Sequence, residues 1–307
     1  MNVVELKNKR VGLVFSSGFF GFFAHAGCLR AVEEMGIKPI GYGGTSSGAI
    51  VAAFAAAGMD AQDIRDLLFA LKKEDFWDPE PWYKTALAAL KLFKGWSGYL
   101  EGERFKQLLT DKLPVKRFEE LSTPCVIVAS DLTRKRKEVF TSGSIADAVQ
   151  ASGTIPWIFK IKKIKENLFL DGGLVDKAPV EELARRANPE VIIIHYIHSL
   201  NLKEKNDVFL SKSFSPQKAY TLSMNIARHE NYLAQIKLVQ QQGIKVIELK
   251  PSLPQVTPNS LKAGKEAFEA AYRYVIEKLG DIVSQRQPSM SPPLKKGGFL
   301  KNDSEHE

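Results

Sequence analysis

Apolar and polar residues along this chain come in blocks. Val11-Gly-Leu-Val-Phe15 is an unbroken apolar run rich in β-branched residues; too short for a helix and followed by a glycine turn, it predicts a strand buried on both faces. Behind it, Ala24 to Met35 reads as a helix ended by Gly36, which makes a strand, loop, helix unit. The pattern recurs at once, with a strand over Ile37 to Tyr42, a glycine-rich bend, and a small-residue helix from about Ser47 stopped by Gly58. Further buried strands are predicted at Cys125 to Ser130, at Val191 to Tyr196 and, after a long helical stretch, at Lys245 to Leu249. Strands that are apolar almost throughout and interleaved with helices define an α/β class: a mainly parallel central sheet with helices on both faces.

Two segments break the alternation. From Lys73 to Gly98 the chain turns aromatic and lysine-rich and reads as an inserted flap with a short helix. From about Ser284 it shifts to Gln, Pro, Ser, Lys and Gly with charged ends, a composition that predicts disorder. The expected organisation is one domain over residues 8–281, carrying the insertion 73–98, and a disordered tail over 282–307.

Composition narrows the picture only modestly. With 307 residues, 44% of them hydrophobic and 25% charged, the chain can bury a sizeable core as an ordinary globular protein. Cys28 and Cys125 lie far apart inside apolar stretches, so neither a disulfide framework nor a metal cluster is called for and two buried free thiols are expected. Met1 to Arg10 mixes an acid with its bases and has no apolar stretch directly behind them, unlike a signal peptide. Val11 to Cys28 lacks charge, yet its four glycines, two serines and a histidine fit a buried strand, loop and helix start better than a membrane span. The expectation is a cytoplasmic protein. The net charge of +8 favours anionic partners; no nucleic-acid motif accompanies it, so an anionic membrane surface met peripherally is the more economical expectation.

The candidate chemistry sits in the bend Gly41-Tyr-Gly-Gly-Thr-Ser-Ser-Gly48. A buried strand turning sharply into a helix presents its turn residue at the carboxyl edge of the sheet, where open α/β folds place their ligands. Gly44-Thr-Ser-Ser-Gly48 fits Gly-x-Ser-x-Gly when centred on Ser46, whereas centring on Ser47 would need glycines where Thr45 and Ala49 stand. Ser46 is therefore the candidate nucleophile and Ser47 opens the helix. Its base is less obvious. His195 lies in a buried strand run, His198 just past it, His229 in a polar helical stretch and His306 in the tail; each reads as structural or solvent-exposed. Asp171, in Asn167-Leu-Phe-Leu-Asp-Gly-Gly173, follows an apolar strand and could take the serine proton directly, although Asp-Gly also marks ordinary turns.

Gly-x-Ser-x-Gly and Asp-Gly-Gly together resemble the Ser-Asp dyad motifs of the patatin-like phospholipase family. The resemblance extends to Leu13-Val-Phe-Ser-Ser-Gly18 with the helix after it, similar to the family's first strand and glycine-rich oxyanion loop, and to Ala151-Ser-Gly-Thr-Ile-Pro-Trp-Ile-Phe159, similar to its Ala-Ser-x-x-x-Pro-x-x-Phe segment. It covers roughly residues 11 to 180. It implies a three-layer fold, hydrolysis of phospholipid or another acyl lipid without metal or cofactor, Ser46 as nucleophile and Asp171 as base. It also implies oxyanion donors among the loop amides around Gly18, Phe19 and Phe20. One departure stands out: where family members commonly carry Arg-Gly, an ungapped alignment puts Gly21 and Phe22. That leaves a non-hydrolytic lipid-binding relative and a conventional Ser-His-Asp hydrolase as competing readings. A nucleotide-binding reading of Ser16-Ser-Gly-Phe-Phe-Gly21 is weaker, since no acid ends the next strand to hold a ribose.

Two further expectations follow. A carboxylate base titrates near pH 4 to 5 unless burial raises it, so the acidic limb of a dyad's rate profile should lie below that of a histidine base. Projected as one helix, Lys84 to Lys94 gathers its three lysines within about a quarter-turn with Leu90, Leu92 and Phe93 elsewhere, a pattern suited to a bilayer interface. The basic runs Arg134 to Lys137 and Lys160 to Lys165 would add attraction to anionic lipid. The alternative is that the apolar face packs on the domain.

Overall fold

A computed structural model describes residues 3–198 and 215–284. Ten strands are β1 (Val11–Phe15), β2 (Pro39–Thr45), β3 (Gly98–Leu100), β4 (Cys125–Asp131), β5 (Arg136–Phe140), β6 (Trp157–Phe159), β7 (Lys162–Ile164), β8 (Asn167–Leu170), β9 (Val191–His195) and β10 (Lys245–Leu249). The helices are α1 (Val3–Lys7), α2 (Phe22–Glu34), α3 (Ser47–Ala56), α4 (Ala61–Ala70), α5 (Trp82–Leu90), α6 (Glu103–Lys112), α7 (Ile145–Ser152), α8 (Val180–Ala187), α9 (Pro216–Gln241) and α10 (Ala263–Ser284). The last helix enters the predicted tail as far as Ser284; the rest of the tail, with His306, lies outside the described residues.

The main sheet runs in the order β10-β9-β1-β2-β4-β8-β7, with β5 paired to β4. The five strands from β10 to β4 are parallel, and β5, β8 and β7 join antiparallel. This is the expected mainly parallel sheet, extended by an antiparallel edge. Successive side chains of a strand point to opposite faces, and the central strands bury both. Leu13, Phe15, Ile127 and Ile193 join the core under α2, α3, α7 and α10. Val14, Val126, Ile192 and Ile194 join a second core with Val180 and Leu183 of α8 and Tyr232 and Val239 of α9. Both cysteines are buried free thiols.

The strand predicted to end at Tyr42 continues to Thr45. Its glycines belong to the strand because α8 lies close across it: a Cβ at Gly41 would stand 2.8 Å from the Cβ of Ala187.

The insertion departs from its predicted form. Its helix ends at Leu90, and Leu92 and Phe93 take positive φ of 51° and 58°, so Lys84 to Lys94 is not one continuous helix. Nor is its apolar side packed away: Trp82, Leu90 and Leu92 are 79%, 82% and 89% exposed, and Ala88 is the one buried residue of α5. Trp157, 66% exposed, stacks against Phe93 and Trp96 beside them. The insertion is tied down by the buried carboxylate of Glu80, which accepts hydrogen bonds from Trp96 Nε1 and Thr85 Oγ1 and pairs with Lys160. It is also tied by β3, which pairs parallel with β6.

The basic runs are similarly engaged. Lys137 pairs with Asp176 and Glu182 at 3.0 and 2.9 Å, Arg134 with Asp131 and Glu138, and Lys162 with Asp147. Much of the charge of the two runs is therefore paired within the fold.

Candidate active site

Strand pairing brings Ser46 to Asp171. One edge of β4 is taken by β5, which pairs with Ile127 through Asp131. Its other edge is shared: β2 pairs with it up to Thr45 opposite Val128, and β8 takes over with Leu170 opposite Ser130. The residues that follow, Ser46 after β2 and Asp171 after β8, emerge side by side. The Ser46 hydroxyl donates to Asp171 Oδ2 at 2.6 Å.

Ser46 adopts φ 55° and ψ −120° as the residue capping α3, a conformation that a non-glycine residue holds only when its surroundings fix it. They do so here. Its backbone N–H donates to Ser152 Oγ at 2.8 Å, and the α3 backbone lies so close beneath β1 that a Cβ at Gly48 would stand 2.3 Å from the Phe15 carbonyl oxygen. The second glycine of the motif is thus a packing requirement.

Asp171 is held at several points. Its N–H donates to the Thr154 carbonyl at 2.8 Å, its carbonyl accepts from Ser130 Oγ at 2.7 Å, and its Oδ1 accepts from Gly173 N–H at 2.6 Å. Burial raises its pKa to about 6, against the lowering effect of the Ser46 and Gly173 hydrogen bonds and of Arg228 and Lys177 nearby. Burial therefore removes most of the separation expected between a carboxylate and a histidine base.

The histidines fall in two groups. His25 and His195 are fully buried, with their Nδ1 atoms 2.7 Å apart and His25 Nε2 2.9 Å from the Ser16 carbonyl. Burial holds both rings neutral, the pKa of His195 falling to about 3. The carbonyl can only accept, so His25 carries its proton on Nε2 and His195 donates through Nδ1. The pair braces the start of the loop that follows β1. His229 bonds the Tyr196 hydroxyl at 3.1 Å, a structural contact, whereas His198 lines a recess beside Ser46.

Two recesses meet at Ser46, and Gly18, Phe19 and Phe20 line both. Phe20 holds a positive φ of 51°, and the preceding Ser17 N–H donates to the Lys177 carbonyl at 2.8 Å, which fastens this loop to the one bearing Asp171. Gly21 is aligned with the expected cation position, and Phe22, aligned with the glycine that follows it, is buried against the rings of Phe20 and Phe23. The first recess is walled by Phe22, Ile50, Phe54, Leu68, Phe105 and Leu109. The second contains Asp171, Lys177, His198 and Arg228. Burial, then the facing Arg228, lowers Lys177 to about 7, and Asp171 acts in the opposite sense.

Sequence reasoning missed Ser130, Ser152 and Thr154, which fix the pair, and Lys177 and Arg228, which face it. Ser152 and Thr154 stand inside the Ala151 to Phe159 motif, so their position was marked though their task was not. Lys177 carried a fainter signal as a single cation in the apolar surroundings of Leu174-Val-Asp-Lys-Ala-Pro-Val180.

The mostly parallel α/β sheet and the strand-to-helix serine define a broad class of proteins, and comparison narrows it. The patatin-like phospholipase family model matches residues 13–184. The chain belongs to the patatin-like phospholipase family. An uncharacterized NTE family protein of Mycobacterium tuberculosis is 29% identical over 175 residues, which are 57% of this chain and 46% of that protein. Lysophospholipase NTE1 of Yarrowia lipolytica is 27% identical over 180 residues, 58% of this chain and 12% of that one. The chain thus aligns with less than half the length of these relatives. Among solved structures, VipD from Legionella pneumophila superposes with a TM-score of 0.48 at 14% identity, over 89% of this chain and 67% of that one.

Proposed function

We propose that the chain hydrolyses carboxylic esters of phospholipids or other acyl lipids with Ser46 as nucleophile and Asp171 as its base. The observation that carries this reading is the 2.6 Å hydrogen bond from Ser46 Oγ to Asp171 Oδ2 at the head of an apolar recess suited to an acyl chain. The Asp171 carboxylate accepts the hydroxyl proton as Ser46 Oγ bonds to the acyl carbon. Amides of the Gly18 to Phe20 loop hold the resulting oxyanion, a role in which one donor is worth roughly 10²- to 10³-fold in rate. As the ester C–O bond breaks, the protonated Asp171 returns its proton to the departing alcohol. Water then attacks the acyl-serine, gives its proton to Asp171, and the fatty acid leaves as Ser46 is reprotonated. No histidine takes part.

A fluorophosphonate probe tests the nucleophile. Wild-type protein should be labelled and Ser46→Ala should not. A folded wild type that resists labelling would favour the second reading, a relative that binds lipid without cleaving it; what supports that alternative is Gly21 standing at the expected cation position of the oxyanion loop.

The exposed apolar surface of the insertion supports contact with a bilayer. Trp82, Leu90, Leu92 and Trp157 interleave with exposed Lys84, Lys91 and Lys94, a mixture that inserts apolar side chains at the headgroup boundary while cations meet anionic lipid. Co-sedimentation with anionic vesicles should weaken when Leu90 and Leu92 become serine, and again when the three lysines become glutamate. Unchanged binding in both variants would leave this surface without a membrane role.

A further inference from the structure

A buried hydroxyl stands next to Ser46 in the chain without a hydrogen bond. Ser47 is 7% exposed, and its Oγ has no partner among the described residues. It lines the apolar recess, where Ser46 and Ser47 alone among the described lining residues carry hydroxyls. A buried polar group left unpaired weakens a fold, so its place beside the candidate nucleophile points to a bond made only when a ligand is present. The Oγ faces the loop after β1: a Cβ built on Gly21 would stand 3.0 Å from it and 3.0 Å from the Gly18 carbonyl oxygen. A side chain at Gly21 would also displace Ile197, whose Cδ1 would lie 2.4 Å from that Cβ, so this position supplies no cation and the neighbouring hydroxyl is the polar group at hand. Ser47 opens α3, and Ser46 gives that helix no side-chain cap because its hydroxyl is turned to Asp171. The N–H groups of a first turn lack intrahelical partners, and negative charge is favoured beside them.

We propose that Ser47 Oγ donates a hydrogen bond to the oxyanion formed when Ser46 attacks an acyl carbonyl. The assignment rests on the reading of Ser46 as nucleophile. The carbon under attack bonds to Ser46 Oγ and bears the chain that enters the apolar recess, so its oxygen comes to lie at the mouth of that recess, between the Gly18 to Phe20 loop and the first turn of α3. The Ser47 hydroxyl keeps its proton throughout. In the ester it meets a neutral oxygen and in the tetrahedral intermediate a charged one. The bond is stronger to the charged oxygen, and that difference lowers the barrier. A neutral hydroxyl on the nucleophile's own helix thus meets the developing charge beside Gly21, where a cation was expected.

The test compares wild type, Ser47→Ala and Ser47→Thr in cleaving a monoacylglycerol and in binding an alkyl trifluoromethyl ketone, to which Ser46 adds to give a hemiketal oxyanion. In Ser47→Ala, kcat should fall about 10- to 100-fold, the range of a hydrogen bond to a charged group. KM should stay within about threefold, since the bond gains its strength only after attack. Ser47→Thr, which keeps the hydroxyl, should retain most of the activity. The carbon-13 resonance of the carbonyl-labelled ketone follows ionisation of the hemiketal oxygen, whose pKa should rise by about 1 to 2 in Ser47→Ala, in step with the loss of rate. A Ser46 merely held in a poorer position would form the adduct more slowly without that rise. Lost rate with an unchanged hemiketal pKa therefore overturns the donor role, and so does a folded Ser47→Ala whose kcat is within about twofold of wild type. Denaturant melts should show Ser47→Ala at least as stable as wild type, because an unpaired hydroxyl adds no bond to the fold; a marked loss of stability would reveal a structural bond and count against the proposal. If wild type neither cleaves the ester nor forms the hemiketal, and the fluorophosphonate does not label Ser46, it is the hydrolase reading that fails, and the donor role falls with it.

Discussion

Two short polar contacts are buried near the carboxyl ends of the central strands, and they differ in almost every respect except length. Ser46 and Asp171 are joined at 2.6 Å, His25 and His195 at 2.7 Å. Ser46 and Asp171 both line a recess, whereas the two histidines line neither of the recesses that meet at Ser46. The acid keeps a pKa of about 6 because hydrogen bonds and nearby cations offset part of the burial. The imidazoles lie well below their usual value because burial dominates and, for His25, its neighbour and Lys177 add to the lowering. A close pair of titratable groups therefore becomes a candidate for chemistry only when it has access to a substrate and a charge state that can change near neutral pH. The histidine pair has neither and serves to hold the loop after β1.

The largest expected effect separates the two pairs outright. Asp171→Asn should lower esterase kcat by at least about 10⁴-fold, as removal of a member of a serine-based machinery does, while His195→Gln should stay within about threefold of wild type. A folded His195→Gln protein as inactive as Ser46→Ala would reverse the comparison. Next is pH. With the Asp171 carboxylate as the proposed base, kcat/KM should fall roughly tenfold per unit as pH drops below about 6, and no second limb should arise from the histidine pair between pH 5 and 8. Ser152→Ala should have an intermediate effect, about tenfold on kcat, by releasing the N–H that holds Ser46 in its strained conformation.

The remaining expectations concern stability. Asp171 has a folded pKa above its unfolded value, so the folded state holds its proton more tightly and loses stability as pH rises from about 4 through 6. Asp171→Asn, which has no proton to lose, should be more stable than wild type at pH 7 by on the order of 1–3 kcal/mol, and show no such advantage at pH 4. Denaturant melts at the two pH values measure this difference. The smallest effect expected is a loss of about 1 kcal/mol in His195→Gln, the scale of one internal hydrogen bond.

Much of the fold was legible because its information is local. Val191 to His195 is apolar at every position before its final histidine, and only a strand covered on both faces needs that; Gly44 to Gly48 announces its own turn. Ser46 and Asp171 could be named because each lies at the end of such a strand. The pairing that unites them could not be read, because it depends on β2 stopping where β8 begins along a third strand. The same holds for Arg228, which reaches the site from α9 and looks in sequence like any polar residue of a long helix. The insertion was misjudged for a different reason: a helical projection assumes continuity, and the positive φ at Leu92 and Phe93 has no glycine or proline to signal it.

The three residues Ser152 to Thr154 act as a measuring gauge. Ser152 receives the N–H of Ser46, and the Thr154 carbonyl receives that of Asp171, so one short piece of chain references both Ser46 and Asp171 to itself. An engineer who wished to reshape either recess could therefore exchange lining residues on α3, α6 or α9 without recalibrating the distance between serine and acid, provided that piece is left intact. Lengthening it by a single residue would shift the two groups in different directions.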